Sequence, residues 1–451
     1  MLINSLFILV GSVFLYVFAP TGYSYPFIFL ISFLFFIQVA SFNYYLGKGG
    51  YVNFYSLFFL SFFLINFFYP LFLYPIDPEY FSIFSKKFNH DVICRATALA
   101  QVVSSSLILG ASILYRKKST NFINIGSGYF SHLPVTILSI FLLFCFIGTV
   151  GSNFLKGDFT AQSTLSLYIL PLVICSYTLA TLIFFRDYNY QKNKKIYYFS
   201  MLLYVLLFLS VGDRGPALSM LIIVSGLYSI YIKKIKIYKI IPLGIVGILL
   251  MRLIGEGRVS GTSGAEGNII SRGLESLEFN IDGYYNMTLD FVINSWTLYV
   301  GLDYVDVNGI DWGSTFLKPL LGVVPFLQGL VESTGLIELT SPSEIFTQIG
   351  LGNDPTWGLG TNLISSVYIA YGLFGCVILF IILGYIVEKF RIGVYKKNNI
   401  VNHIVYFTLL GYAVYYPRTD FLMPLKFIVW TLVIYVLLVN FKLLVSKRKE
   451  F

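Results

Sequence analysis

Arg214 lies in LSVGDRGPALSMLI, a Gly-Asp-Arg-Gly-Pro step between two apolar runs, and Arg418 lies in YYPRTDFLMP, just before another. A guanidinium at an apolar boundary is costly unless it has an anionic partner or a task. On the topology derived below, Arg252, Arg258 and Arg272 fall on the same side as Arg214 and Arg418, and Arg95 lies one turn inside a span at that face. Arginine forks bind phosphate oxygens bidentately and remain charged. A convergent set is what a departing diphosphate needs, because such donors meet the charge that develops on the leaving oxygen. Local roles compete with this reading: Arg214 follows Asp213, Arg418 precedes Asp420, Arg252 can anchor the end of a span by snorkelling, and the loop arginines can be solvated.

Glu275, Glu278 and Asp282 follow Arg272 at i, i+3, i+7 spacing, which puts three carboxylates on one helical face. One of them within reach of a hydroxyl suffices for general-base work, Glu278 first; a solvated acidic face has the same pattern. Asp303, Asp306 and Asp311 have the oxygen ligands of a hard-cation site but not EF-hand spacing, and no metal or cofactor is expected. The chain has no G-x-x-x-x-G-K-[ST] phosphate loop, G-x-S-x-G elbow or H-E-x-x-H pair, and its histidines are His90, His132 and His403, with none between 255 and 360.

The elements that must position these residues are membrane helices. Of the 451 residues, 57% are hydrophobic, 18% aromatic and only 12% charged, with a mean hydropathy of +0.77, which defines an all-α polytopic membrane protein. Apolar stretches of roughly 17 to 25 residues predict about twelve spans, near 3–20, 26–44, 51–74, 92–115, 133–151, 164–185, 196–212, 215–231, 238–254, 361–386, 401–416 and 421–442. The runs are continuous rather than alternating, so helices, not a β-barrel, satisfy the backbone. The first run lacks a basic start and an A-x-A-like site and reads as an uncleaved span.

Lys and Arg fix the orientation. Alternate loops near 48, 116–118, 186–195, 233–239 and 389–397, with the tail 442–449, carry 20 of the 31 basic residues, so these loops and both termini are expected in the cytoplasm. The net charge of +9 is mostly this topological signal and does not imply nucleic-acid binding. The four cysteines sit in or beside spans without C-x-x-C spacing, which indicates neither a disulfide framework nor a zinc site. Three regions follow: spans one to nine over 1–254, a large outer loop over 255–360, and the last three spans with a basic tail over 361–451. The loop opens Gly-rich, which suits a flexible lead-in, and then reads over 269–296 as an amphipathic helix lying against the membrane domain.

The chain resembles the Wzy-type oligosaccharide repeat-unit polymerases of O-antigen and capsule synthesis. The likeness is carried by the span count, the late outer loop, the step VGDRGPALSMLI, the loop arginines Arg258 and Arg272, the segment SPSEIFTQIGLGNDPTWGLGTNLISSVYIAYGLFG and YYPRTDF. It implies a GT-C-like glycosyltransferase of the bacterial inner membrane with its active face in the periplasm. The donor would be the growing glycan on undecaprenyl diphosphate, and the acceptor a single lipid-linked repeat unit. It also implies a partner chain-length regulator of the polysaccharide co-polymerase type. Arg214, Arg272 and Arg418 then become diphosphate or transition-state contacts, Arg252 and Arg258 weaker companions, and Glu278, Glu275 or Asp282 the base. Two other readings stay open: an O-antigen ligase, whose family uses a histidine in the outer loop, and a lipid-linked oligosaccharide flippase, for which repeats with broken helices are expected.

Overall fold

The structure is a computed structural model, which describes residues 1–46, 52–85, 88–114, 129–150, 163–211, 213–235, 285, 288–335, 339–353, 355, 358–397, 399–441 and 445–446. In chain order the helices are α1 Leu2–Val17, α2 Tyr25–Leu46, α3 Phe54–Asn66, α4 Ile93–Ile113, α5 Leu133–Thr149, α6 Thr164–Arg186, α7 Lys194–Val211 and α8 Arg214–Tyr231. They continue with α9 Leu289–Asn308, α10 Ser314–Leu321, α11 Leu327–Ser333, α12 Pro342–Leu351, α13 Leu363–Lys397, α14 Ile400–Tyr412 and α15 Met423–Asn440. A two-residue antiparallel pairing of Tyr129–Phe130 with Val445–Ser446 is the only strand contact among the described residues.

By length and apolarity, six of these helices can cross a membrane: Tyr25–Leu46, His90–Ile113, Leu165–Arg186, Lys194–Val211, Leu363–Tyr395 and Met423–Asn440. Shorter apolar helices cover the expected spans at 3–20, 51–74, 133–151 and 401–416. The span expected at 215–231 is the helix α8, whose Arg-Gly-Pro opening and small residues make it less apolar, and 238–254 lies outside the described residues.

Helix α4 is the mandrel of the first half, with almost its whole length buried. Small residues let its neighbours approach: a Cβ on Gly110 would fall on the carbonyl of Ile381, and one on Gly384 on the carbonyl of Leu107. The buried hydroxyls and amides of α4 pair with earlier helices, Ser112 with Ser5 at 3.1 Å, Ser105 with Ser12 at 3.0 Å, and Gln101 with Gln38 at 2.9 Å. These pairs run α1 antiparallel to α4. Helix α13 breaks at Gly372 (φ +63°), a conformation suited to glycine, where Ile310 also presses close.

Of the amphipathic helix expected over 269–296, residues 269–284 lie outside the described residues, and the last eight fall in α9, which begins at Leu289, runs on to Asn308 and is buried almost throughout from Val292 to Leu302. It packs against α3, α4 and α13. Its partners are polar as well as apolar: Asn362 Nδ2 donates to Asn66 Oδ1 at 2.9 Å and to the Asn294 carbonyl at 3.1 Å, and Ser365 Oγ to the Thr297 carbonyl at 3.0 Å. Satisfying polar groups inside the bundle removes the cost of burying them, so a mixed sequence can occupy the core.

Candidate functional site

Helices α8 and α14 pack antiparallel, Gly226 against Phe407 and Leu410, Gly411 against Ser219 and Ile223, and Tyr231 hydrogen-bonded to His403. Arg214, the first residue of α8, therefore lies toward the end where α14 runs out at Tyr412. Asp213 caps α8, accepting from the Gly215 amide at 3.4 Å. A carboxylate at a helix N-terminus satisfies orphan N–H groups and meets the positive end of the dipole, which explains the Gly-Asp-Arg-Gly order locally.

Arg418 ends a short 3-10 turn, Tyr416–Arg418, in the link from α14 to α15. This link folds back into the bundle rather than arching over it. Ser61 Oγ of α3 donates to the Val414 carbonyl at 2.5 Å, the Tyr416 ring lies 6.3 Å from Phe58, and the Tyr416 hydroxyl donates to the Phe421 carbonyl at 2.7 Å. Phe421 in turn packs on Phe316 of α10 and Phe380 of α13, with centroids 6.2 and 5.6 Å apart. The Arg418 guanidinium lies 5.8 Å from the Tyr415 ring centroid, within the range of a cation–π contact.

The short helix α10 meets this link through Phe316. Lys318 of α10 pairs with Glu344 of α12 and, at 3.6 Å, with Glu332 of α11. Glu344 also closes the capping box of α12, its Oε2 accepting from the Ser341 amide at 2.8 Å. Burial works against its charge, but the Lys318 and Ser341 hydrogen bonds outweigh it and hold the Glu344 carboxyl below the usual value. Asp420 differs: burial, reinforced by the charge of Glu344, pushes its carboxyl up to about 6.

Arg95, at the first turn of α4, is ion-paired with Asp306 near the end of α9, beside a Tyr16–Tyr368 hydroxyl pair at 2.8 Å. Asp311 caps the next helix, accepting from the amides of Gly313 at 2.8 Å and Thr315 at 3.2 Å. The Asp303–Asp311 stretch thus supplies an ion pair and a cap, and no group of three or more potential metal-ligating side chains gathers among the described residues.

The opposite end of the bundle carries the other charge set. Arg391 grips Glu388 through two 2.7 Å hydrogen bonds, and Arg186 pairs with Asp187 at 2.9 Å. The two ends are therefore distinct: Arg95, Arg214, Lys318 and Arg418 lie toward one, Arg186 and Arg391 at the other. Of the sequence-derived site, Arg214 and Arg418 come to the same end on antiparallel and recessed elements. Arg252, Arg258, Arg272, Glu275, Glu278 and Asp282 lie outside the described residues. Sequence reasoning missed Lys318, Glu344 and the isolation of Asp420. Its signal for the first was present, since Lys318 is the only Lys between 255 and 360; the pairing of Arg95 with Asp306, 211 positions apart, has none.

The fold defines a multi-pass membrane protein in which Arg214 and Arg418 lie toward one end, Arg418 in a link recessed into the bundle. A family model described as O-antigen polysaccharide polymerase Wzy matches residues 1–449, and the chain belongs to that family. Its members are, in general kind, glycosyltransferases that act on lipid-linked oligosaccharide repeat units in the membrane. No curated protein and no solved structure matches the chain.

Proposed function

We propose that this protein polymerises lipid-linked repeat units of O-antigen or a related surface polysaccharide at the periplasmic face of the bacterial inner membrane. The growing glycan on undecaprenyl diphosphate is the donor, and the non-reducing hydroxyl of a second lipid-linked repeat unit is the nucleophile. The observation that supports this reading is the position of Arg214 and Arg418 at the end of the bundle opposite Arg186 and Arg391, in a chain that the family model matches over residues 1–449. Positive-inside bias puts the Lys- and Arg-rich loops in the cytoplasm and Arg214 and Arg418 outside it.

In the proposed step, Arg214 and Arg418, with Arg272 from the outer segment, bind the donor diphosphate and stabilise it as it leaves; Arg252 and Arg258 add positive potential. Such donors act most strongly where water is scarce, and the fold-back of the Arg418 link favours that. An apolar cavity lined by Leu165, Tyr168, Phe326 and Leu330 between α6 and α11 has the chemistry of a prenyl-chain seat. The architecture is GT-C-like in this proposal, no nucleotide sugar is consumed, and chain length is set with a polysaccharide co-polymerase type of regulator.

The test is a reaction of the purified chain in nanodiscs with repeat-unit undecaprenyl diphosphate extracted from cells lacking the polymerase, with no nucleotide sugar. A product ladder that disappears with Arg214→Ala supports the proposal. Movement of labelled lipid across a proteoliposome bilayer without a ladder would assign a flippase. Transfer only to lipid A core would assign a ligase, which the lack of a histidine in 255–360 disfavours.

A further inference from the structure

Glycosyl transfer to a hydroxyl needs a proton acceptor, and the described residues contain a carboxylate whose circumstances fit that need. Asp420 lies two residues after Arg418 in the folded-back link, and its Oδ1 is fully buried with no hydrogen-bond partner. The link is held firmly, by Tyr416 against Phe58 and by Phe421 between Phe316 and Phe380. The charge of Glu344 reaches Asp420 and raises its carboxyl, while the Glu344 oxygens are already taken by Lys318 and the Ser341 amide. Among the described residues the ion pairs here join Lys318 to Glu332 and Glu344, and none reaches Asp420.

A buried carboxylate oxygen without a hydrogen-bond partner is a standing cost to the fold. Such costs concentrate where a group has a task. Asp420 offers an acceptor oxygen two residues from an arginine assigned to the leaving diphosphate.

We propose that Asp420 is the general base of the transfer, accepting the proton of the acceptor hydroxyl; the assignment rests on the polymerase reading above. The acceptor O–H bond breaks and its proton passes to the Asp420 carboxylate, while the oxygen's electron pair forms the new bond to the donor anomeric carbon. The bond from that carbon to the diphosphate oxygen breaks, and its electron pair leaves with undecaprenyl diphosphate toward Arg418 and Arg214. Protonated Asp420 then releases its proton to water. Burial and the neighbouring Glu344 charge raise the carboxyl to about 6, which leaves it ionised at pH 7 yet more basic than an exposed aspartate. Burial and the charge of Glu344 on α12 set this value; Arg418 and Lys426 flank Asp420 in the chain, and Lys318 on α10 pairs with Glu344 and with Glu332 on α11.

The experiment is the nanodisc polymerisation assay, read as turnover and KM for lipid-linked repeat units between pH 5 and 8. Asp420→Asn is expected to lower turnover by about 10²–10⁴-fold, with KM within about threefold and an unchanged gel-filtration profile. Wild-type turnover is expected to fall about tenfold per pH unit below about 6. Turnover of Asp420→Asn within fivefold of wild type overturns the assignment, as does a flat wild-type profile from pH 5 to 7, a readout that needs no variant to fold. Loss of turnover in Glu278→Gln but not in Asp420→Asn passes the role to Glu278. A wild-type chain that makes no ladder overturns the polymerase reading itself.

Discussion

Replacing Asp420 by asparagine keeps the shape of the side chain and removes its charge, and the structure makes this a stabilising change with a defined pH dependence. The carboxyl is raised from 3.8 to about 6, first by burial and then by the charge of Glu344. The folded state therefore holds the proton more tightly than the unfolded chain does. Wild-type stability is relatively highest below the unfolded value near 4, declines as pH rises, and has lost the whole increment above about 6. Two pKa units at 1.36 kcal/mol each give about 3 kcal/mol as a ceiling; residual exposure and solvent screening reduce this to about 1–2 kcal/mol. Asp420→Asn should then be more stable than wild type by about 1–2 kcal/mol at pH 8 and nearly equal to it at about pH 3. Thermal unfolding in detergent, followed by tryptophan fluorescence at the two pH values, measures the difference. A variant that is less stable at pH 8, or a difference that does not change with pH, would refute the reasoning, because either result means that a partner holds the carboxylate in the folded state. Higher stability together with lost turnover would be the opposition expected of a catalytic group kept at the expense of the fold.

Other expectations follow from the same structure. Arg214→Ala and Arg418→Ala should each abolish polymer while leaving protein level and membrane insertion intact; normal chain-length ladders from both would remove the diphosphate role. Lys318→Met should lower the melting temperature at pH 7, and the deficit should vanish as pH falls through the depressed Glu344 value, since the stability it supplies exists only while Glu344 is ionised; a deficit that stays constant down to full protonation of Glu344 would show that the lysine acts through packing. Gly110→Ala and Gly384→Ala place a Cβ on facing backbone, and each should cost about 1–3 kcal/mol or more, seen as loss of monodisperse protein on gel filtration. Arg95→Met and Asp306→Asn should destabilise less together than the sum of each alone, and additivity in a double-mutant cycle would deny their pairing.

Much of the architecture was legible because span length and apolarity are local properties of a continuous run, and ten of the twelve expected spans coincide with apolar helices. The burial of α9 was not, because its Asn, Ser and Thr side chains read as surface until their partners Asn66, Asn362 and Ser365 are known. The arginines stood out as charge out of place between apolar runs. Asp420 was read only as a local partner for Arg418, since neighbours in sequence appear paired on paper; the fold instead buries its Oδ1 without a partner. Lys318 and Glu344 hold each other across two short helices, a relation set by the turns at Gly313 and Gly335 rather than by any periodicity.

The deep burial of α4 bears on how the chain is made. Translation delivers α4 about 250 residues before α13, the helix that later covers most of it. At typical synthesis rates of about 5–20 residues per second, α4 spends some tens of seconds in the bilayer without that cover. Its serines and Gln101 do not wait unpaired, because Ser5, Ser12 and Gln38 on α1 and α2 have already been inserted. The first helices thus form a receptor that holds a polar helix until its late partner arrives, and Gly110 keeps open the slot into which Ile381 will settle. A stalled nascent chain ending after α4, with Ser12→Cys and Ser105→Cys, should crosslink; failure to do so would mean that α4 joins the bundle only when α13 emerges.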